Sequence, residues 1–261
     1  MTLNRLALAF CLSLIPCTVF SHQAPIQSPQ GVALATQAMA ALTGTTQVND
    51  ITLTGTATRT AGSDVESGSI TLRALGTAES RLDLSANNGT RTEIRNLDSN
   101  SASQGFWIGL DGIAHSMANH NCATDAAWFF PALSVLSQLS NPDLVVTYIG
   151  NETRGDVSVQ HLHFLLQSPV PSALVQQLGA EDVYLDASSN LPVAITFNAH
   201  PDNDASANLP VEVDFSNYQA VNGVQVPFRI QRLLNGSVLY DLTVQSATLN
   251  SGLTAAAFSP N

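Results

Sequence analysis

Val211-Glu212-Val213-Asp214-Phe215-Ser216-Asn217-Tyr218-Gln219-Ala220-Val221-Asn222-Gly223-Val224-Gln225-Val226-Pro227-Phe228 sets alternating strands on both sides of an Asn-Gly pair. Asn-Gly is the strongest short hairpin signal, because both residues tolerate the positive φ of a type I′ turn. A second pair, Asn235-Gly236, turns residues 226–234 into 238–249. Period-two alternation gives each strand one dry and one wet face, the style of an antiparallel sheet.

The same reading extends upstream. Residues 182–186 turn through 187–190 into 192–199, and a polar loop at 201–208 leads to 211–216. Earlier strands are expected at 51–60, 67–75, 80–85, 90–96, 104–109, 113–117, 144–150 and 157–166. A first helix is expected at 31–43, with Val32, Ala35, Met39 and Leu42 on one face and Gly44 ending it. A short helix is expected at 171–178. No fixed-period repeat and no linker divides the chain, so residues 31–261 read as a single domain. The fold class is mainly β with a few short helices: roughly twelve strands in a large curved antiparallel sheet that curls on itself.

Between the strand-rich halves lies Asn119-His120-Asn121-Cys122-Ala123-Thr124-Asp125-Ala126-Ala127-Trp128-Phe129-Phe130-Pro131, running on to Leu139. Ala132, Val135, Leu136 and Leu139 recur at helical spacing, with Pro131 suited to a first helical position. A helix is therefore expected at 131–139, with Thr124-Asp125 capping an extra turn. Such a helix either plugs the curve of the sheet as core or walls a cavity for an apolar ligand. Trp107, Trp128, Phe129, Phe130, Leu133 and Leu136 are the candidate ligand contacts, and all of them serve equally as core.

Composition narrows the function. Charged residues are 11% of the chain, there is no Lys, and the net charge is −11. That excludes the basic patches nucleic acid and anionic membrane surfaces require. Residues 1–21 have the pattern of a secretory signal: Arg5, the apolar 6–20, then Val19-Phe20-Ser21 before expected cleavage. Loss of Arg5 takes the charge from −11 to −12. Pro16 before Cys17 is wrong for lipoprotein processing, so the chain is not expected to be a lipoprotein. Residues 22–30 read as a flexible arm, and no other apolar run reaches the ~18 residues of a membrane span. The expected location is periplasmic or secreted. Two of three cysteines fall in the signal, leaving Cys122 with no disulfide partner.

Chemical motifs are sparse. His115, His120 and Cys122 are the best metal-like group, but their spacing matches no zinc signature and no fourth ligand is evident. They read as hydrogen-bonded loop residues, so no metal and no cofactor are expected. His161 and His163 share one strand face, read as a polar outer face because Leu162 and Phe164 point to the core. There is no nucleophile elbow, phosphate loop or His-Glu-x-x-His. The chain is not expected to be an enzyme.

The order Val183-Tyr184-Leu185-Asp186, Leu191-Pro192-Val193, then Val213–Tyr218 and Val221–Phe228, closing with Val244-Gln245-Ser246-Ala247-Thr248-Leu249-Asn250 and Phe258, resembles the C-terminal half of the LolA/LolB-like superfamily of periplasmic lipoprotein carriers. That group also contains sigma-factor regulatory sensors and mycobacterial lipid-carrier lipoproteins. With the N-terminal helix and hairpins, the resemblance spans about residues 31–258. It implies an unclosed β-barrel of about eleven strands, with helices in its concave mouth and acyl chains held between the two. The helix at 131–139 would take a lid-like place. The partners implied are an apolar small molecule or a lipidated protein. The alternative is a sensor or interaction module that offers the same half-barrel to a protein partner and has no cargo.

Overall fold

The computed structural model describes residues 27–122, 126–167 and 172–260. The expected signal peptide and its cleavage site, the arm up to residue 26, and the Thr124-Asp125 cap lie outside them. Helix α1 (Pro29–Thr43) opens the described chain. It starts two residues before the expected Gly31, because the Ser28 side chain accepts from the Gly31 N–H as an N-cap and Pro29 needs no N–H partner. Gly44 ends it at φ +57°.

The strands follow as β1 (Asp50–Ala61), β2 (Asp64–Leu75), β3 (Glu79–Ala86), β4 (Gly89–Leu97), β5 (Ser103–Ile108) and β6 (Ala114–Ser116). After a connection come β7 (Leu144–Arg154), β8 (Val157–Leu166), α2 (Ala173–Leu178), β9 (Ala180–Asp186), β10 (Pro192–Ala199), β11 (Leu209–Val221), β12 (Val224–Leu234) and β13 (Ser237–Leu249). All thirteen form one antiparallel sheet in the order β6-β5-β4-β3-β2-β1-β13-β12-β11-β10-β9-β8-β7. Edges β6 and β7 do not pair, so the barrel stays unclosed. Each half is a meander in chain order, and the β1–β13 ladder is the seam between them. At the seam the register shifts between Thr54 and Gly55, where Gln245 of β13 is the extra, unpaired residue of a bulge. A Cβ on Gly55 would fall 2.1 Å from the Thr243 carbonyl oxygen, so only glycine fits there.

The two Asn-Gly pairs turn as expected, with φ of 50° and 85° at Asn222 and Gly223, and 50° and 74° at Asn235 and Gly236. One face of the sheet carries Leu53, Leu72, Leu84, Phe164, Val183, Ile195, Val213, Ile230 and Leu242 into a single core with Leu34, Ala35, Ala38 and Leu42 of α1. This is the concave face. α1 lies in it, and its N-terminus is tied to β7 by Ser28 N–H donating to Val146 O and Gln27 Nε2 to Leu144 O. Along the rest of that edge strand, Ile149 is 53% exposed.

The expected helix at 131–139 is instead two short 3-10 turns, Pro131–Leu133 and Val135–Gln138. Ser134 between them has φ −85° and ψ −167°, which is extended backbone. Its hydroxyl donates to Pro131 O and accepts from Leu136 N–H, closing one turn and capping the next. A serine that bonds locally to the backbone competes with a continuous helix. A last 3-10 turn, Ala255–Phe258, packs on the outer side of β3 and β4.

Candidate functional site

Residues 126–136 are all buried. Trp128, Phe129, Phe130, Leu133 and Leu136 belong to the same core as α1 and the concave sheet face, so five of the six sequence candidates lie together inside the curve. Trp128 meets Phe129 edge-on at 5.6 Å. Trp107 is apart from them: it is 44% exposed and stacks on His115 with ring centroids 4.0 Å apart.

Where the two wings of the sheet come close, a cavity of ≈ 180 Å³ opens against this segment. One wall is Ala78 and Ser103 from the N-terminal wing; the other is Leu166, Ala180, the buried Glu181 and Phe197 from the C-terminal wing. Val135 and Cys122 also line it. Burial pushes the Cys122 thiol pKa up, which makes it a small apolar wall element rather than a nucleophile.

The wings are latched beside this cavity. The Asn121 side chain donates to His200 O at 2.7 Å and accepts from His200 N–H at 2.9 Å, while Arg95 donates to Asn121 O. His120 Nε2 lies 3.1 Å from Pro201 O. His115 instead faces Asp111 at 3.2 Å, and the Cys122 thiol faces Ala118 O. The three metal-like residues therefore serve three different contacts. Among the described residues, no group of three or more His, Cys, Asp or Glu is arranged to hold a metal.

A second feature of the concave side was not legible as a site in the sequence. Arg59, Glu66, Arg91, Glu93, Arg95, Arg232 and Tyr240 gather at the opposite ends of β1 and β13 from residues 51 and 249. The register puts Arg59 opposite Glu66 and Tyr240, and Glu93 opposite Leu82 and Trp107. Glu66 pairs with Arg59 at 3.4 Å and with Arg91, and accepts from Asn88 at 2.7 Å. Arg91's hydrogen bond is the largest influence on the Glu66 carboxyl and holds it below the usual range. Glu93 and Arg232 sit five strands apart in the ladder, yet pair at 3.5 Å across the inside of the curve. Burial pushes the Glu93 carboxyl up, but Arg232 and Arg95 outweigh it and leave the pKa lowered. The Arg232 guanidinium also lies 4.7 Å over the Trp128 ring. A pocket of ≈ 240 Å³ opens here, walled by Arg59, Arg91, Arg232, Glu93, Tyr240 and Trp107.

On the convex face, His161 bridges Glu152 at 2.6 Å and Asp182 at 3.0 Å, and His163 meets the same Asp182 oxygen at 2.8 Å. Arg154 lies over Tyr184 and pairs with Glu212. This is the polar outer face the sequence led us to expect, here organised into a network.

No protein-family model and no curated protein matches the chain. Solved structures do match it. A domain from Vibrio parahaemolyticus named for outer membrane lipoprotein sorting is 12% identical, with a TM-score of 0.59 over 88% of this chain and 96% of that one. A DUF1329 family protein from Desulfovibrio piger is 9% identical, with a TM-score of 0.58 over 88% and 96%. A LolA superfamily protein from Nitrosomonas europaea is 10% identical, with a TM-score of 0.51 over 88% and 97%. The chain has the LolA/LolB-like fold, as its meander suggested. Among the described residues, no helix is long and apolar enough to cross a membrane.

Proposed function

We propose that this protein is an exported binder or carrier of an apolar ligand, a lipid or acyl chain, held between the concave sheet face and residues 126–139. The observation that carries the reading is the chemistry of that contact. Segment and sheet meet through aromatic and aliphatic side chains, with a cavity already open at Val135. Apolar burial of ligand gives about 25 cal/mol per Å² and needs no charge chemistry. The likeness to a lipoprotein-sorting domain and a LolA superfamily protein supports the same reading through the fold.

Size sets the mechanism. A cavity of ≈ 180 Å³ is close to the ~150 Å³ that accommodates benzene, so it takes one ring or a short chain segment. A full acyl chain requires residues 126–139 to move off the sheet. Short 3-10 turns have poorer hydrogen bonding than an α-helix, so little backbone structure opposes the movement, and the apolar sheet surface it uncovers is covered again by the ligand. We read its side chains as stand-ins for ligand: Phe129, Phe130, Leu133 and Leu136 fill the space that a tail would take.

Native mass spectrometry of protein purified gently from a periplasm tests this. The expected result is an added mass in the lipid range that disappears on organic extraction. Leu136→Arg should abolish uptake, and Val135→Trp, which fills the open cavity with an apolar ring, should reduce it in a protein that still melts cooperatively. Undiminished lipid in both variants would overturn the assignment. A bare polypeptide mass would favour the interaction module, to which the open β7 edge around Ile149 lends some support.

A further inference from the structure

We propose that the pocket walled by Arg59, Arg91 and Arg232 takes the oxyanion of an amphiphilic ligand, so that the cargo is an amphiphile with a phosphate or carboxylate head rather than a neutral hydrocarbon. This inference rests on the apolar-ligand reading and deepens it.

Three observations carry it. First, three guanidinium groups face one carboxylate, Glu93, across the ≈ 240 Å³ pocket, in a chain whose net charge is −11. Asp64 and Glu66 each pair with both Arg59 and Arg91, but neither is part of that wall. Second, donors remain for a ligand. A guanidinium has five N–H donors in a planar fork suited to oxyanions. The ion pairs of Arg59 with Asp64 and Glu66 engage Nη1, that of Arg232 with Glu93 engages Nη1, and those of Arg91 engage Nε with Glu66 and Nη2 with Asp64, so each fork keeps a nitrogen outside its ion pairs. Third, the pocket adjoins the buried segment through one of its wall residues. Arg232 lies over Trp128, the first large side chain of the buried segment, so an oxyanion at Arg232 places its tail along that segment. The outer rim is apolar as well, with exposed Trp107 lining the pocket and exposed Leu110 and Ile113 beyond it on the same hairpin. Charged head group and apolar tail thus each meet matching chemistry. The overall acidity repels anionic surfaces at large, and the pocket provides a local exception.

The test is calorimetric titration of the delipidated full chain with three probes: 1-palmitoyl lysophosphatidic acid, 1-monopalmitoylglycerol and inorganic phosphate. The phosphate-headed lipid should bind at least about tenfold more tightly than the glycerol ester, the order expected of one charge-assisted contact. Arg91→Gln, which leaves Glu66 paired with Arg59 and Asn88, should cut that preference to about twofold, and Arg91→Lys should restore part of it. Glu93→Gln, isosteric and one negative charge lighter, should widen the preference. Equal binding of the two lipids, or a preference unchanged in both Arg91→Gln and Glu93→Gln, would overturn the head-group inference and leave the apolar reading standing. Inorganic phosphate binding as tightly as the lysolipid would mean a free-anion site and would also overturn it. Failure of both lipids to bind would overturn the apolar reading itself.

Discussion

Two charged clusters sit on opposite faces of the same sheet and are made of different groups. Inside the curve, arginines pair with Glu66 and Glu93; outside, His161 and His163 share Asp182, and Asp214 lies near Glu212 and Arg154. The inner carboxyls are held low by permanently charged partners, so the inner cluster keeps its charge state across the neutral range. The outer one contains groups that titrate there. The concave side is thus a fixed electrostatic surface, fit for recognising a ligand, while the convex side carries the protein's pH response.

The largest expected effect comes from breaking the inner cluster. Glu66 has only 3% of its side chain exposed and serves two arginines. Glu66→Ala leaves Arg59 and Arg91 only the exposed Asp64 as a carboxylate partner and should cost about 1.5–3 kcal/mol in urea denaturation, the range for a hydrogen bond to a charged group. A loss below about 1 kcal/mol would mean that inner and outer charges are alike in energy.

The outer cluster is tested by pH. Burial, with Glu212 adding to it, raises the Asp214 pKa to about 6. A carboxyl whose folded pKa exceeds its unfolded value costs nothing below about pH 4, costs progressively more from 4 to 6, and a constant amount above. His163 works in the same direction. The hydrogen bond with Asp182 raises its pKa against the opposing effect of burial, so its stabilisation is complete below the ordinary histidine value and fades as pH rises through the raised one. Asp182 is pulled the other way: burial would raise its pKa, but His163 and His161 lower it, so its contribution is lost only on strong acidification. Stability should therefore fall as pH rises from about 5 to 7.5. Asp214→Asn should raise Tm by a few degrees at pH 7.5 and hardly at all at pH 4. Solvent screening keeps this effect modest, because Asp214 is only partly buried. An equal gain at both pH values would remove the carboxyl as the cause. The smallest effect should be Glu152→Ala, which removes an exposed partner of His161 and should cost no more than about 0.5–1 kcal/mol.

The same two faces explain what could be read in advance. The Asn-Gly hairpins and the alternating strands are local, and both were visible in the chain. Which alternation faces inward is not local. In β4, Arg91, Glu93 and Arg95 occupy one face and Thr92 and Ile94 the other, an arrangement that reads as charged outside and apolar inside. It is the reverse, because the 3-10 turn ending in Phe258 lies over the outer side of β3 and β4, with Asn96 bonded to its carbonyl. The hydrophobic Ile94 is buried outside the curve, and the charges fill the inside. The period-two run Arg91-Thr92-Glu93-Ile94-Arg95 was the available signal, but nothing near it in sequence told which face would be covered. The helix expected at 131–139 failed for a smaller reason: its apolar spacing is helical, but Ser134 bonds to its own backbone neighbours and splits the stretch into two turns. Trp107 shows the reverse case, an aromatic grouped by composition with Trp128 that the β5–β6 hairpin carries to the rim instead.

The seam at β1–β13 has a consequence in time. Residues as distant as Ile51 and Leu249 must meet there, whereas every other ladder of the sheet joins neighbours in chain order. Pairing of distant segments is slow because loop-closure entropy is lost before contacts repay it. The two meanders should form first and dock last, and Gly55→Ala should slow the final phase of stopped-flow refolding without altering the earlier one. Until that docking, β1 and β13 each present a bare edge, and this interval is when a crowded compartment would most readily pair the chain with a second copy of itself.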